Sequence, residues 1–245
     1  MEPFQRGRYR VRLSETAADL DTALALRGRC FRGGGGQSDR DAFDDLCAHI
    51  LVEDAASGAL VCCFRLLPLR DAQSISGSYA AQFYDLDGLR SFEGPMIEMG
   101  RFCIAPECRD PDILRLAWAA LGRMVDEMGA ELLFGCSSFQ GTEAEAYHDA
   151  FALLKDRHVA PRRWRPRVKA PSVFRFAQKL SALRPDVKRA MRSMPPLLRS
   201  YLSLGGWVSD HAVVDRDLGT LHVFTGLEIR AIPPARARLL RTLSN

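Results

Sequence analysis

One short stretch of the chain carries two charges in apolar surroundings, and those charges could do chemistry. Glu98 and Arg101 interrupt residues 95–104, which otherwise have the apolar character of a buried β-strand. Side chains three positions apart leave an extended strand on opposite faces, so a bulge or kink, most simply at Gly100, is needed to bring both to one side. Charges among apolar residues are costly unless they are paired, hydrogen-bonded or used. The two residues therefore form either an ion pair at a strand end or part of a reactive site.

A cluster of acids lies earlier in the chain, around Phe43 and after the glycine run 33–36. Its members are Asp39, Asp41, Asp44 and Asp45. The glycine run does not fit a phosphate-binding loop, because no Lys-Ser/Thr pair follows it and no strand precedes it. The acids are either solvated loop charges or a receiving site for a cationic substrate. Arg27, on or beside the buried face of the preceding helix, is interpreted as a surface arginine whose stem covers the core.

Small residues follow a short buried strand at residues 132–136 and are predicted to form a turn. The turn would contain Ser137, Ser138 and Phe139, and its backbone amides could face a ligand. Thr142 is expected to cap a helix that runs to Leu154.

Positive charge is concentrated between Lys155 and Arg199, where fourteen Lys or Arg residues accompany two acids, Asp156 and Asp186. Since the whole chain has a net charge of only +4, the remainder is net negative. This asymmetry predicts one face for an anionic partner. Nucleic acid is disfavoured, because the segment contains no recognised binding motif and only one interleaved tryptophan.

The composition fits one globular α/β domain. A chain of 245 residues with 47% apolar residues can bury a full core. No apolar run reaches the length of a membrane span and the start does not resemble a secretion signal, so we expect a cytoplasmic protein. The seven cysteines include no CxxC pair and no nearby histidine pattern, which predicts reduced structural thiols and no metal site.

Hydrophobic periodicity predicts alternating strands and helices. The first predicted helix is capped within residues 14–17 and has apolar residues at helical spacing from Leu20 to Phe31. The other predicted helices are 111–128 ended by Gly129, 142–154, 195–202 and 236–243. The predicted strands are 9–13, 49–54, 59–67, 95–104, 132–136, 173–177, 207–214 and 220–226, with a loop at 71–89.

The order of these motifs resembles a known family. The motifs are Leu26-Arg27 with Phe31, the acidic loop with Asp41 and Asp44, the strand end Phe64-Arg65-Leu66-Leu67-Pro68, and Glu98-Met99-Gly100-Arg101-Phe102. They resemble the acyl-homoserine-lactone synthase branch of the GNAT acyltransferases and, more closely, the bacterial ornithine lipid synthase acyltransferases. The segment from Leu197 to Thr220 looks like the tail of the latter family, which lactone synthases lack. The chain departs from the family pattern at His222, where an acid is expected.

The resemblance implies an α/β GNAT fold, with a mixed central sheet flanked by helices on both faces. It implies a single domain over residues 1–245, with a core at about 8–180 and a C-terminal extension at about 195–245. The implied reaction transfers a 3-hydroxyacyl group from acyl carrier protein to the α-amine of ornithine, with no permanently bound cofactor. Glutamine as acceptor, a lactone synthase and a non-enzymatic basic adaptor are the alternatives.

Roles for single residues follow from this resemblance. Glu98 is the catalytic candidate, either as the base or as the group that positions the substrate ammonium, and Arg101 orients it or the loop acids. Backbone amides near Phe102 and Cys103 are expected to stabilise the oxyanion. The remaining predicted substrate-binding residues are Arg27, Phe31, Asp41, Asp44, Arg65, Ser137, Ser138 and Phe139. Among them, the arginines would hold the ornithine carboxylate and an aspartate its side-chain amine.

The basic segment is interpreted as the docking surface for acyl carrier protein, which is small and acidic. The predicted docking residues are Arg162, Arg163, Arg165, Arg167 and Lys169. Residues 184–202 mix basic with apolar side chains, which favours an additional peripheral contact with an anionic membrane.

Overall fold

A computed structural model describes residues 1–33 and 38–238 of the chain. The strands are β1 (Phe4–Arg6), β2 (Tyr9–Leu13), β3 (Ala48–Asp54), β4 (Leu60–Leu69), β5 (Tyr84–Asp85), β6 (Met96–Ile104), β7 (Leu132–Gln140), β8 (Arg167–Val168), β9 (Val173–Phe174), β10 (Trp207–Val208), β11 (Ala212–Asp215) and β12 (Thr220–Glu228). The helices are α1 (Ala17–Phe31), α2 (Pro111–Met128), α3 (His148–Arg157), α4 (Phe176–Lys179), α5 (Val187–Ser193) and α6 (Pro196–Ser203). Most of the predicted helix 236–243 lies outside the described residues.

The chain forms two compact units that alternate along the sequence. The first contains Met1–Pro68 and Ile97–Ala130, to which the described residues 234–238 are added. The second contains Leu69–Met96 and Glu131–Pro233.

The first unit contains a sheet in the order β1-β2-β3-β4-β6, with α1 packed on β3 and α2 packed on β2 and β3. Local signals set its helix ends. Thr16 and Asp19 form a capping box at the start of α1, which satisfies amides that the helix itself leaves unpaired. Pro111 occupies the first turn of α2, and Gly129 ends that helix in the left-handed conformation with φ 60°. The predictions for these two helices and for the β3–β4 hairpin are confirmed.

The second unit contains an antiparallel sheet in the order β7-β12-β11-β9, with β10 also paired to β12. A compact apolar core packs α3 and the helices that follow it against this sheet. Its members include Phe151, Phe176, Leu198 and Leu221. Gly226 of β12 is required where it stands, because a Cβ there would lie 2.4 Å from the ring of Trp207.

Three sequence predictions for the second unit are wrong. Residues 137–140 are the second half of β7 and not a turn, because β12 pairs with them along the whole strand. Thr142 does not cap α3, which begins only at His148 after a short 3-10 helix. The predicted strand 173–177 ends at Phe174 and continues into α4.

The segment predicted as a loop at 71–89 has regular structure of its own. Three 3-10 helices, Ala72–Gly77, Ala80–Gln82 and Asp87–Ser91, flank β5, and β5 pairs with β8. No helix in the described ranges is both long enough and apolar enough to cross a bilayer. All seven cysteines are free thiols.

Candidate active site

Two strands and the end of α1 position a group of charged side chains in the first unit. His49 of β3 lies opposite Arg65 of β4. Two positions further along β3, Leu51 lies opposite Cys63 of β4. Because strand side chains alternate, these four share one face of the sheet. That face is apolar at Leu51 and Cys63 and becomes polar at His49 and Arg65. The polar end is where the candidate site lies.

The apolar part of the face forms a small core with α1. Its buried members are Ala23, Leu26, Leu51, Cys63, Cys103 and Ala105. The Sγ atoms of Cys63 and Cys103 are 3.6 Å apart, and Phe31 packs against the same core. The side chains of Phe31 and Cys103, both predicted to bind substrate, therefore belong to the core. Phe102 is partly exposed, and its ring centroid lies 5.7 Å from that of Phe64.

Arg27, one helical turn after Ala23, is almost completely buried, with 1% of its side chain exposed. Its Nε donates to Asp39 Oδ2 at 2.9 Å, and its Nη1 donates to Asp44 Oδ1 at 2.6 Å. Its Nη2 donates to the backbone carbonyl of Asp39 at 2.7 Å. The interpretation of Arg27 as a surface residue is wrong, because the acidic loop folds over α1 and pairs with it. A buried guanidinium is tolerated only with such complete pairing.

Arg65 and Arg101 bind the same loop from the strand side. Arg65 Nη1 donates to Asp41 Oδ1 at 2.6 Å and to Asp44 Oδ1 at 2.7 Å. Arg101 Nε donates to Asp39 Oδ2 at 2.8 Å, and its Nη2 donates to Asp41 Oδ2 at 3.1 Å. Arg101 therefore orients the loop acids, one of the two roles predicted for it.

We call these residues, together with Arg32, the charge network. Its members are Arg27, Arg32, Arg65, Arg101, Asp39, Asp41 and Asp44. The side chains of Asp39 and Asp44 are fully buried, whereas 26% of the Asp41 side chain is exposed. Asp41 is consequently the aspartate of the network that solvent or a ligand can reach.

Arg101 has a backbone conformation that L-residues rarely adopt, with φ 53°. The kink that the sequence predicts at Gly100 occurs one residue later. Arg65 crosses β6 above Gly100, where a Cβ would lie 3.5 Å from Arg65 Nε. Glu98 and Gly100 share a face by strand alternation, and Arg101 reaches the Asp41 carboxylate that Arg65 also binds. The left-handed residue thus brings Arg101 to the face that carries Glu98.

Glu98 is buried, with 4% of the residue exposed. Its proximity to the network is visible at Cys47. Burial raises the pKa of the Cys47 thiol to about 12, the field of Arg65 opposes this, and the fields of Glu98, Asp44 and Asp41 add to it. Glu98 therefore lies close enough to the network for its field to act on the same thiol as Arg65, Asp41 and Asp44.

Pairing with arginine outweighs burial in setting the pKa values of Asp41 and Asp44. Burial alone would raise the pKa of Asp44, but hydrogen bonds from Arg27, the Asp41 amide and Arg65 outweigh it and hold that pKa at about 2. Burial likewise opposes ionisation of Asp41, yet Arg65 lowers its pKa below the usual value. Burial lowers the pKa of His49, whose Nε2 lies 2.9 Å from the Asp44 backbone oxygen. Both aspartates are thus anionic near neutral pH.

The contacts within the network differ from the roles that the sequence predicts for the arginines and the acids. Arg27 and Arg65 were expected to bind a substrate carboxylate, with Asp41 or Asp44 free for an amine. Instead, both arginines already bind protein carboxylates. Asp44 is fully enclosed by these contacts, whereas Asp41, which Arg65 and Arg101 also bind, keeps an exposed edge.

The other predicted residues lie in the second unit. Ser137 is buried and its Oγ accepts a hydrogen bond from Thr225 at 2.9 Å, while Phe139 belongs to the core. Ser138 lies opposite His222 in the β7–β12 ladder. The prediction that these residues form a turn is therefore wrong, since they are strand residues.

The predicted docking residues of the basic segment differ in how they are held. Arg167 pairs with Asp85 at 2.8 Å, and Lys169 Nζ donates to the Ala81 carbonyl at 2.6 Å. Arg165 donates to the carbonyl of Ala160, Arg163 stacks on the ring of Trp164, and Arg162 is exposed.

Sequence reasoning missed three contributors to the site. Arg32 donates to Asp39 at 3.2 Å, His49 lies against Asp44, and Cys47 lies within the field of Glu98. The sequence shows Asp39 only as one member of an acidic run, whereas in the structure its carboxylate accepts from both Arg27 and Arg101.

Comparisons with known proteins place this chain in a family. The Acetyltransferase (GNAT) domain family matches residues 26–119. An L-ornithine N(alpha)-acyltransferase from Rhodobacter capsulatus is 31% identical over 239 residues, with 91% of each chain covered. A Brucella abortus protein of the same name is 31% identical and covers 92% of this chain and 86% of its own. The chain belongs to the L-ornithine N(alpha)-acyltransferase family. It is therefore an acyltransferase, as the sequence motifs predict.

Similarity to a solved structure shows the fold. FeeM, an N-acyl amino acid synthase from uncultured soil microbes, has a TM-score of 0.53 and 10% sequence identity, with 91% of this chain and 93% of that chain covered. This chain thus has the α/β fold of GNAT type that its sequence predicts.

Proposed function

We propose that this chain transfers an acyl group from the thioester of acyl carrier protein to the α-amine of ornithine, which gives a lyso-ornithine lipid. The observation that carries the proposal is the buried Glu98 beside a charge network in which Asp41 is the reachable acid. Family membership supports the reaction class, since the relatives are named for this acylation.

The chemistry needs no covalent enzyme intermediate. The neutral α-amine attacks the thioester carbonyl, the new C–N bond forms, and collapse of the tetrahedral intermediate breaks the C–S bond. The extra N–H proton of the tetrahedral intermediate passes to Glu98, directly or through one water, and Glu98 returns a proton to the departing thiolate. Backbone amides near Phe102 and Cys103 are the proposed donors to the oxyanion.

Asp41 supplies a physical basis for α-selectivity. Its carboxylate is ionised and partly exposed, so it can hold the side-chain ammonium of ornithine as a cation. A side-chain amine has a pKa near 10.4, whereas a chain-terminal amine lies near 8. An amine held as a cation cannot attack, and the more acidic α-amine is left to react.

The test uses the purified chain with acyl carrier protein loaded with a 3-hydroxyacyl group. Mass spectrometry follows N-acyl-ornithine, with glutamine and S-adenosylmethionine as competing acceptors. Glu98→Gln keeps the size of the side chain and removes its basicity, so we expect at least a hundredfold loss of turnover in a protein that still unfolds in one cooperative transition. Full activity of Glu98→Gln would contradict its role. A glutamine product would keep the mechanism and overturn our account of Asp41.

The basic segment is the proposed docking surface for the acidic carrier protein. In the second unit, Arg162 and Arg163 are exposed and Arg167 is anchored by an acid, so the segment presents positive charge on a defined backbone. Charge reversal at Arg162 and Arg163 should raise the KM for the carrier and leave the KM for ornithine unchanged. An unchanged carrier KM would place docking elsewhere.

A peripheral membrane contact is a further part of the proposal. Val187 and Met191, four residues apart on α5, and the preceding Leu183 are exposed apolar side chains. Basic residues such as Lys188 and Arg192 lie between and beside them, which suits an anionic bilayer. Flotation should recover the protein with anionic vesicles and not with neutral ones, and Val187→Asp with Met191→Asp should abolish this. Equal recovery with both kinds of vesicle would contradict the idea.

A further inference from the structure

The second unit contains a cavity of about 850 Å³, and five of its twelve lining residues are arginines. The arginines are Arg162, Arg163, Arg165, Arg167 and Arg175. Two acids, Asp87 and Asp210, also line it. Five positive charges therefore face two negative ones, an excess of three in a concave site.

The two acids are already engaged. Asp210 Oδ1 lies 2.7 Å from His211 Nδ1, and Asp87 Oδ2 accepts from Arg167 Nη2 at 3.3 Å. By contrast, Arg162 and Arg175 have no ion-pair partner within residues 1–33 and 38–238. Two arginines that line one cavity without a protein carboxylate leave donors available to an anionic ligand.

The backbone that carries these arginines is held in place. Trp164 is buried against Phe92, with ring centroids 5.2 Å apart. Gly88 lets this segment approach closely, because a Cβ there would lie 2.8 Å from the carbonyl oxygen of Arg163. β8 is paired with β5 through Asp85 and Arg167. A site held in this way loses little conformational entropy on binding.

We propose that this cavity binds the phosphate group of a small phosphate ester. Planar guanidinium groups match the geometry of phosphate oxygens and form paired charge-assisted hydrogen bonds with them. The cavity lining has three more positive than negative charges. A phosphate group supplies up to two negative charges and so compensates this excess better than a single carboxylate, which supplies one. The inference goes beyond the acyl transfer, although four of the five arginines also belong to the proposed docking surface for the carrier protein, and it does not depend on the identity of the acceptor.

Three soluble probes test the proposal and distinguish the source of the phosphate. Isothermal titration calorimetry on the full chain would use inorganic phosphate, 4′-phosphopantetheine as the arm of a carrier protein, and glycerol 3-phosphate as a fragment of a lipid headgroup. We expect saturable binding of at least one probe, and the tightest of the three identifies the source.

Variants separate the cavity from general attraction by basic surface. Arg162→Gln and Arg175→Gln should each weaken binding about tenfold. Arg216 is an exposed arginine of the same unit that does not line the cavity. Arg216→Gln removes the same charge and should leave phosphate binding unchanged. Denaturant unfolding checks that all three variants keep their stability. No binding of any probe, or equal loss in Arg216→Gln, would overturn the proposal.

The outcome is independent of the proposed reaction. Glu98→Gln should bind the probes as the unmodified chain does, because Glu98 does not line the cavity. Failure of acyl transfer with phosphate binding intact would refute the proposed function alone. Failure of phosphate binding with acyl transfer intact would refute this inference alone.

Discussion

Asp44 and Asp41 offer a matched test of the charge network, since both are loop aspartates that bind Arg65 and differ mainly in burial. Asp44 also accepts from Arg27 at 2.6 Å and from the Asp41 amide at 2.9 Å, with no solvent contact. Asp44→Asn leaves two buried guanidinium groups without that charge. Breaking a buried ion pair from one side costs about 3–5 kcal/mol in free energy of unfolding.

Asp41→Asn removes the same charge at the exposed edge of the network. Water can replace part of the lost interaction with Arg65 and Arg101, so we expect a loss of about 1–2 kcal/mol. Its larger effect should be kinetic, with the KM for ornithine raised about tenfold, because the proposed partner of the side-chain ammonium is neutralised.

Urea unfolding at neutral pH and initial rates against ornithine concentration measure both effects. Asp44→Asn should show the larger loss of stability and Asp41→Asn the larger rise in KM. Equal losses of stability would refute the claim that burial ranks the two acids. An unchanged KM in Asp41→Asn would refute the proposed ammonium site.

The lowered pKa of Asp44 also predicts that the free energy of unfolding depends on pH in the acid range. The pKa of Asp44 is about 2 in the folded chain and near 3.9 when unfolded, so the unfolded state takes up protons first as pH falls. The stability that Asp44 contributes is complete above about pH 4 and is lost toward pH 2. The Asp44→Asn variant should lack this component of the slope, and a slope equal to that of the unmodified chain would contradict the pairing.

Further predictions concern His222 and Gly226 of the second unit, with Gly122 of α2 in the first unit as a comparison. Burial lowers the pKa of His222 to about 4 in the folded chain. As the pH is lowered below about 6.5, the unfolded state therefore binds a proton first, and the free energy of unfolding decreases. His222→Gln should remove about 1 kcal/mol per pH unit from the slope between pH 6 and 5, measured by urea unfolding, and an unchanged slope would contradict this. Gly226→Ala should destabilise by about 1–3 kcal/mol, since its methyl group meets the Trp207 ring. Gly122→Ala, in a helix with open space, should instead stabilise by about 0.5–1 kcal/mol, and equal melting temperatures for the two variants would refute the packing argument.

Elements with local signals could be predicted from the sequence. The capping residues of α1, the proline and glycine at the two ends of α2, and the hairpin of β3 and β4 are each specified by nearby residues. Glu98 was identified as a candidate because a carboxylate in an apolar strand is unusual, and its burial agrees with that reasoning.

Features that depend on distant partners were missed. Local preference favours glycine at a kink, yet the left-handed residue is Arg101, which Asp39 and Asp41 hold by ion pairs from about sixty positions away. The small residues after Cys136 suggest a turn, but β12 extends β7 through Gln140 from about eighty positions later. The mutual neutralisation of arginines and acids was also hidden, because sequence order does not show which charges converge.

The alternation of the two units along the chain has a consequence for synthesis on the ribosome. Arg27, the acidic loop and Arg65 emerge within the first 68 residues, whereas Arg101 follows only after a segment that belongs to the second unit. Until β6 emerges, Asp39 and Asp41 lack one of their cations, so the nascent site is incomplete. Neither unit is a continuous segment, and a cut between β4 and β6 would divide the site itself. The fold thus delays completion of the charge network until more than a hundred residues have been made.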